Sequence, residues 1–355
     1  CEMKFNNTKL SIGIIYVGLI VSLTTIALYL DLASVLVANY GNNVKVAFCY
    51  FFFMLTITLP LDVFANKKIN TSRDISINKI IVGNIVLYLL LISFTTIIYF
   101  LFSLENLLFV FLSSLMMQLL LLLLQEIITL SSFSTKEYSY KSSSMLIIEN
   151  APFYMTMNII RSLKGPKILV PSHWTKQKKE NYEFHLERFQ LIMGSKIDLK
   201  SVLFSIVLNS IFFIAIYSYF YSANVPATIF IINLSLISNL ISFIYILLLP
   251  KLSQNGITNI DYTMRSKDSS LFKENLEIFE SNQDRNQSRS KIVETIFYPI
   301  PSIDTRLNCK VKKKFGLSNI SRLIIFLAFT NLSIIFKGVH GNAGKPENWL
   351  LPPSE

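Results

Sequence analysis

Seven stretches of the chain are built almost entirely from Leu, Ile, Val, Phe and other apolar residues, at about 10–30, 44–62, 79–102, 106–130, 201–222, 226–249 and 321–337. A helix needs roughly 17–25 such residues to cross the hydrocarbon core of a bilayer, because each residue adds about 1.5 Å of rise. All seven stretches meet that length, and charge is nearly absent from them. The pattern therefore predicts a mainly α, polytopic membrane protein with about seven transmembrane helices. It divides into a four-span region over 1–130, a membrane hairpin over 201–249, a last span over 321–337 and an extracytoplasmic tail over 338–355. The run from Leu119 to Leu124 is all leucine and reads as a packing or lipid-facing surface.

The polar segments between the spans carry patterns of their own. Segment 131–200 opens with a Ser-rich stretch that reads as a connector. Residues Ser144–Glu149 and Lys167–Val170 then read as short strands, the second closed by Pro171. From Thr175 the apolar positions Tyr182, Leu186, Phe189, Ile192 and Met193 follow helical spacing, and Ser270–Ser281 does the same. These elements predict a small α+β cytoplasmic domain made in two halves, 131–200 and 250–320, split by the membrane hairpin.

Charge decides which side the segments occupy. Segment 131–200 holds 11 Lys or Arg against 6 Asp or Glu, segment 250–320 holds 12 against 8, and the short loop 63–79 adds Lys67, Lys68, Arg73 and Lys79. The connections around Asp31 to Asn43, Ser103 to Glu105 and Ser222 to Val225 contain no Lys or Arg. Basic loops stay cytoplasmic, so this bias places the N-terminus inside and the C-terminus outside. It also accounts for the run Lys310, Lys312, Lys313, Lys314 as an anchor on anionic lipid. The net charge of +11 thus follows topology, and no nucleic-acid-binding motif accompanies it. With 52% hydrophobic and 15% charged residues and a mean hydropathy of +0.48, the composition excludes a soluble two-domain protein. The abundance of Lys, Asn and Ile suits an AT-rich genome and suggests a bacterial cytoplasmic membrane. Cys1, Cys49 and Cys309 are too scattered for a disulfide framework.

Four ordered pieces of the polar segments resemble the HtpX-like and CAAX-protease-type membrane zinc metallopeptidases, and more loosely the BlaR-type sensors. Leu163-Lys-Gly-Pro-Lys-Ile-Leu-Val-Pro171 is similar to the strand that precedes the family's zinc helix. Phe189-Gln-Leu-Ile-Met-Gly-Ser-Lys-Ile-Asp198 occupies the place of that helix, with Asp198 setting the register. Thr258-Asn-Ile-Asp261 stands where the family carries a third-ligand glutamate beyond the hairpin. Tyr298-Pro-Ile-Pro-Ser-Ile-Asp-Thr-Arg306 resembles the family's final Pro-Ser and Arg segment, with Ile300 at its histidine position.

The chemistry of that family needs two histidines one turn apart on a helix and a glutamate beside the first, which acts as general base on zinc-bound water. In the register given by the resemblance, those positions hold Phe189, Met193 and Gln190, and the third ligand position holds Asn259. The resemblance therefore implies a degenerate member with no H-E-x-x-H motif, no catalytic residues and no bound zinc. Asp198, Asp261 and Arg306 are its implied remnants of the surroundings of the metal, with Arg306 placed to bond one carboxylate. His173 and His185, with Glu183 and Glu187, lack the spacing of a helical metal pair.

The expectation is a catalytically inactive, metallopeptidase-like membrane protein that binds a peptide or a partner membrane protein, in an oligomeric state the sequence does not fix. A transport- or immunity-type membrane component is the alternative, and the scarcity of ionisable residues in the spans weighs against its transport form. The third reading is an active membrane metalloendopeptidase with an atypical ligand set. The tail is expected to be extended, with Trp349 and Leu350 resting at the membrane interface or on a partner.

Overall fold

Six of the seven apolar stretches fold into single helices long and apolar enough to cross a membrane. The computed structural model describes residues 2–69, 77–104, 106–141, 143–151, 155–282, 290–309, 311–313, 315–339 and 342–349. Cys1, Arg73, Lys310, Lys314, His340 and Leu350 lie outside them. The spanning helices are α1 (Glu2–Tyr29), α3 (Val44–Ile69), α4 (Ile77–Phe102), α5 (Leu107–Ser132), α7 (Ile197–Ser222) and α8 (Ala227–Leu248), and a short helix α2 (Leu32–Tyr40) fills the first connection. The chain is an integral, multi-pass membrane protein. Side chains such as Ile15, Phe52, Leu89, Leu120 and Leu203 are exposed on the outer surfaces of these helices, where lipid rather than water covers them.

Local chemistry sets where these helices begin and how they tolerate lipid. Asn106 caps α5 by accepting hydrogen bonds from the backbone N–H groups of Leu108 and Phe109. Several hydroxyls on the spans donate back to their own helix, as Thr25 does to Val21 O and Ser205 to Ser201 O, which satisfies them without water. Helix α8 packs against α1, α3, α4, α7 and the segment after residue 320, so it forms the centre of the bundle.

Between α5 and α7 lies a four-stranded sheet of β1 (Thr135–Tyr140), β2 (Ser143–Ile148), β3 (Asn158–Ile160) and β4 (Lys167–Pro171), in the order β1-β2-β4-β3. The β1–β2 and β3–β4 pairs are antiparallel and β2–β4 is parallel. Strands β2 and β4 fall where the short apolar runs and Pro171 placed them. Strand β1 replaces the expected Ser-rich connector: Lys141 takes the left-handed φ of 53° in the tight turn before Ser143, and this folds the polar stretch back as a hairpin. Helix α6 (Lys179–Gly194) follows the sheet. Lys167 of β4 bonds Glu126 of α5 at 2.7 Å and Glu137 of β1 at 2.9 Å, and Arg161 bonds Asp198 in the first turn of α7 at 2.6 Å. These ion pairs fix the sheet to the ends of α5 and α7.

After α8 the chain continues as α9 (Pro250–Lys267), with Pro250 at a helix start where its missing N–H costs nothing, then α10 (Ser269–Asn282), α11 (Lys291–Phe297) and α12 (Ile303–Leu307). One apolar cluster joins Met145, Ile168, Val170, Phe189 and Ile192 to Ile260, Met264, Phe272 and Leu276. Gly256 and Gly316 make a close backbone crossing possible: a Cβ on Gly256 would stand 2.6 Å from Ser318 N and 2.7 Å from Leu317 C.

The expected seventh span over 321–337 takes a different form. It is a short helix α13 (Ile320–Leu327), a 3-10 turn Ala328–Asn331, a reversal at Leu332 with φ 66°, and a second 3-10 turn Ile335–Lys337. Leu332 O accepts a hydrogen bond from Ser235, thirteen residues inside α8 from Leu248. The reversal is thus roughly 20 Å deep in the bundle at 1.5 Å per residue. The chain then returns to the end at which it entered. Asn66 near the end of α3 donates to Gly344 O at 2.7 Å, and a Cβ on Gly83, early in α4, would strike Pro346 and Trp349 of the final turn α14 (Pro346–Trp349). The tail therefore lies at the sheet end of the bundle, which corrects the expectation of a tail beyond the opposite face. The physical reason is in the residues. Thr330, Asn331 and Ser333 interrupt the apolar run at its middle; Thr330 bonds back to Leu327 O, whereas Asn331 and Ser333 find partners on α7 and α8 where the helix breaks.

Candidate functional site

Helices α6 and α9 pack side by side, and the positions singled out from the sequence lie on and around them. Phe189 is buried in the apolar cluster with Ile260, Met264 and Phe272, and Met193 packs against the same cluster. Gln190 faces the sheet hairpin, where its amide donates to Tyr140 O at 3.3 Å and Ser143 Oγ at 3.2 Å. Asn259 faces the other way. Its amide donates to Lys313 O at 3.1 Å and accepts from Lys313 N at 2.6 Å, which pins the chain before α13 onto α9.

Asp261, one turn-fraction further along α9, is the electrostatic centre of this region. Arg306 grips it with two parallel hydrogen bonds, Nε to Oδ2 at 2.6 Å and Nη2 to Oδ1 at 2.9 Å. Arg188 of α6 adds weaker bonds to Oδ1 at 3.3 and 3.4 Å. The planar fork of a guanidinium matches a carboxylate, which is why an arginine is needed at 306 and a lysine would not serve. All three side chains are buried. Asp198 is not part of this cluster and pairs with Arg161 instead. Arg188 was not singled out from the sequence, although its place on the buried face of α6, beside Phe189, was legible.

His185 is buried one turn before Phe189, edge-on to Trp174 with ring centroids 4.7 Å apart. Burial, then the nearby charges of Arg188 and Arg306, push its pKa down to about 3, so the imidazole is neutral at physiological pH. An imidazole held beside two guanidiniums has no electrostatic reason to accept a proton or to recruit a cation. Among the described residues, no group of three His, Cys, Asp or Glu side chains is placed to hold a metal ion.

A second polar centre lies inside the membrane spans. Lys337 and Asp62 are both fully buried and pair at 2.8 Å. Lys337 Nζ also donates to Asn84 Oδ1 at 2.8 Å and Thr58 Oγ1 at 3.0 Å, so three acceptors meet its three protons. The ring of Trp349 covers the ammonium at 4.6 Å. The sequence reading passed over this pair because Asp62 and Lys337 each stand at the edge of an apolar run, where a charge is ordinarily a flanking anchor. The signal available was the pair of opposite charges together with the polar residues inside the last run.

No protein-family model matches the chain, and no curated protein sequence is significantly similar to it.

Proposed function

We propose that the chain is a non-catalytic, metallopeptidase-like membrane protein, a pseudopeptidase whose cytoplasmic halves 131–200 and 250–320 make one domain around the hairpin of α7 and α8. The observation that carries this reading is the meeting of the four sequence pieces that suggested it. Ile168 and Val170 of the strand piece, Phe189 and Ile192 of the helix piece, and Ile260 next to Asp261 share one apolar cluster. Arg306 of the last piece closes on Asp261. Phe189 and Met193 put apolar surface where the resemblance would have metal ligands, and that stabilises the α6–α9 contact by burial in place of coordination.

Such a domain holds a partner rather than cutting it, and the partner is a peptide or another membrane protein. Strand β1 offers the place for an extended segment: it is the outer strand of the sheet, and Tyr138 at its middle is half exposed. The reading supports a basic side facing the cytoplasm, in accord with the charge bias.

Metal content of the purified protein tests it. The expected result is no stoichiometric zinc and no chelator-sensitive proteolysis; one tightly bound zinc per chain with chelator-sensitive cleavage would overturn the proposal. The register is tested by combining Phe189→His, Gln190→Glu, Met193→His and Asn259→Glu. A gain of zinc binding would support the alignment, which requires the side chain at 259 to turn from Lys313 toward α6, and no gain would count against it.

The buried Asp62–Lys337 pair favours a second reading, a transport-type component, because ionisable groups within spans commonly mark ion or substrate routes. Proteoliposomes carrying an internal pH dye and an imposed membrane potential separate the two. Proton flux in the wild type that Asp62→Asn abolishes would favour transport, and equal, background flux in both would remove it.

A further inference from the structure

The chain that returns from the re-entrant turn folds back over its own exit. Residues 342–349 form a turn and the short helix α14, and they hold together by bonds of their own. Lys345 N donates to Asn342 O at 2.9 Å, Asn348 N to Lys345 O at 3.0 Å and Trp349 Nε1 to Asn342 O at 3.0 Å. Asn342 donates in turn through Nδ2 to Phe336 O at 3.3 Å. The segment is thus a small folded plug.

Two glycines shape its seat. Gly344, with φ 70°, lies against the turn of α3 that carries Asp62: a Cβ there would stand 2.6 Å from Asp62 O and 2.4 Å from Asn66 N. Gly83 of α4 leaves the notch that the plug fills, since a Cβ there would stand 2.5 Å from Pro346 Cβ and 3.3 Å from the Trp349 ring. Asn66 holds the plug by its bond to Gly344 O, and the buried Trp349 ring lies over the Lys337 ammonium. The plug therefore covers the Asp62–Lys337 pair from the sheet end. That pair does not need the cover for its charge balance, because Asp62, Asn84 and Thr58 already accept the three protons of Lys337. Lifting the ring strands no charge.

Glu347 makes the fit depend on pH. Its Oε1 is buried and accepts no hydrogen bond, so an ionised carboxylate is poorly accommodated in the seat. Burial pushes its pKa up from the usual 4.5 to about 7, and the charge of Lys79 on α4 opposes this without overcoming it. The other titratable groups at this end of α3 and on the plug, among the described residues, are Asp62, which is bonded to Lys337, the exposed Lys67 and Lys68, and the buried Lys345. A carboxyl whose pKa is raised on seating binds its proton more tightly when seated. Seating is therefore strongest below about pH 4.5, weakens as pH rises toward 7 and levels off above it.

We propose that residues 342–349 are a releasable cap over the Asp62–Lys337 pair, seated when Glu347 is protonated and loosened when it ionises. When the cap lifts, water reaches the pair from the sheet end. The cap stands apart from the α6–α9 centre and depends on neither reading of the function.

The test is hydrogen exchange of the full chain in detergent, followed by mass spectrometry at pH 5, 6, 7 and 8, with rates corrected for the intrinsic pH dependence of exchange. Peptides covering 342–349 report on the cap, and peptides of α8 report on global opening. Between pH 5 and 8 the protection of the cap peptides should fall by roughly 70-fold, the ratio set by a carboxyl of pKa about 7 seated and 4.5 free, while α8 stays protected. Glu347→Gln should remove the pH dependence and keep the cap protected at pH 8. Gly83→Val, which fills the notch, should leave the cap unprotected at every pH. Protection in the wild type that does not change with pH, or that falls equally in Glu347→Gln, would overturn the proposal. Full protection in Gly83→Val would show that the segment does not sit on α4 and would overturn it as well.

Discussion

Replacing Lys337 by Met should destabilise the protein far more than replacing Lys337 and Asp62 together. The ammonium bonds Asp62 Oδ2 at 2.8 Å, Asn84 Oδ1 at 2.8 Å and Thr58 Oγ1 at 3.0 Å, and neither charge has access to solvent. In Lys337→Met the Asp62 carboxylate loses its counter-charge, and the Asn84 amide at 3.5 Å does not replace it. A buried charge stripped of its partner costs about 3–5 kcal/mol, because the desolvation penalty remains while the attraction is gone. Asp62→Leu should cost a similar amount by stranding the ammonium. Removing both charges takes away the penalty as well, so the double variant should lie within about 2 kcal/mol of wild type, which is several kcal/mol better than the sum of the single effects. Unfolding by graded detergent denaturation, followed by tryptophan fluorescence, measures all four proteins; Trp349 covers Lys337 and reports on the site directly. Additive losses, with the double variant as poor as the two singles summed, would refute the pairing.

Other outcomes follow from the polar region at the sheet end of the bundle and its crossings. Arg306→Ala should lose about 3 kcal/mol or more, since it leaves Asp261 buried with only the longer Arg188 bonds, and Arg306→Lys should recover little because it cannot fork; thermal stability that matches wild type would contradict this. His185 has a folded pKa pushed below its usual 6.5 to about 3, so the unfolded chain takes up a proton first as pH falls. Stability present above about pH 6.5 is lost toward pH 3, by about 2 kcal/mol between roughly pH 6.5 and 4.5. His185→Gln should flatten that part of the pH–stability profile, and an unchanged slope would count against the buried neutral imidazole. Gly256→Ala places a methyl group against the backbone of Leu317 and Ser318, and should cost about 1–3 kcal/mol in the same unfolding assay.

The sequence carried the long-range plan wherever one physical signal dominated. Apolar length announced the six spanning helices, short apolar runs and Pro171 announced β2 and β4, and helical spacing announced α6 and α10 within a few residues. Strand β1 escaped because its residues Thr135–Tyr140 are polar and exposed, and its strand character comes from pairing with β2 rather than from its own pattern. Helix α2 escaped because a nine-residue apolar stretch between two spans is too short to read as an element of its own. Of the singled-out site residues, the structure brings Arg306 onto Asp261 and Phe189 beside Ile260, while it turns Gln190 to the sheet, Asn259 to Lys313 and Asp198 to Arg161.

The last apolar run misled for a different reason. Residues 321–337 have the hydropathy of a minimal span, and hydropathy does not report where Asn331 and Ser333 must find partners. Those bonds, made on α7 and α8 at mid-depth, hold a broken helix in place of a continuous one and return the tail to its starting side. Trp349, expected at the membrane interface or on a partner, and Lys337 at the end of the run become parts of a buried centre.

That re-entrant course is the claim on which the buried ion pair and the placement of the tail both stand. It is tested most directly by labelling intact cells with a membrane-impermeant maleimide, using a chain whose Cys1, Cys49 and Cys309 are changed to Ser and which carries single substitutions Lys176→Cys, Asn224→Cys or Asn348→Cys. Lys176 lies at the sheet end of the bundle and Asn224 in the connection between α7 and α8 at the opposite end. The account predicts that Asn348→Cys behaves as Lys176→Cys does and opposite to Asn224→Cys; labelling of Asn348→Cys together with Asn224→Cys would show that the chain crosses a seventh time and would contradict it.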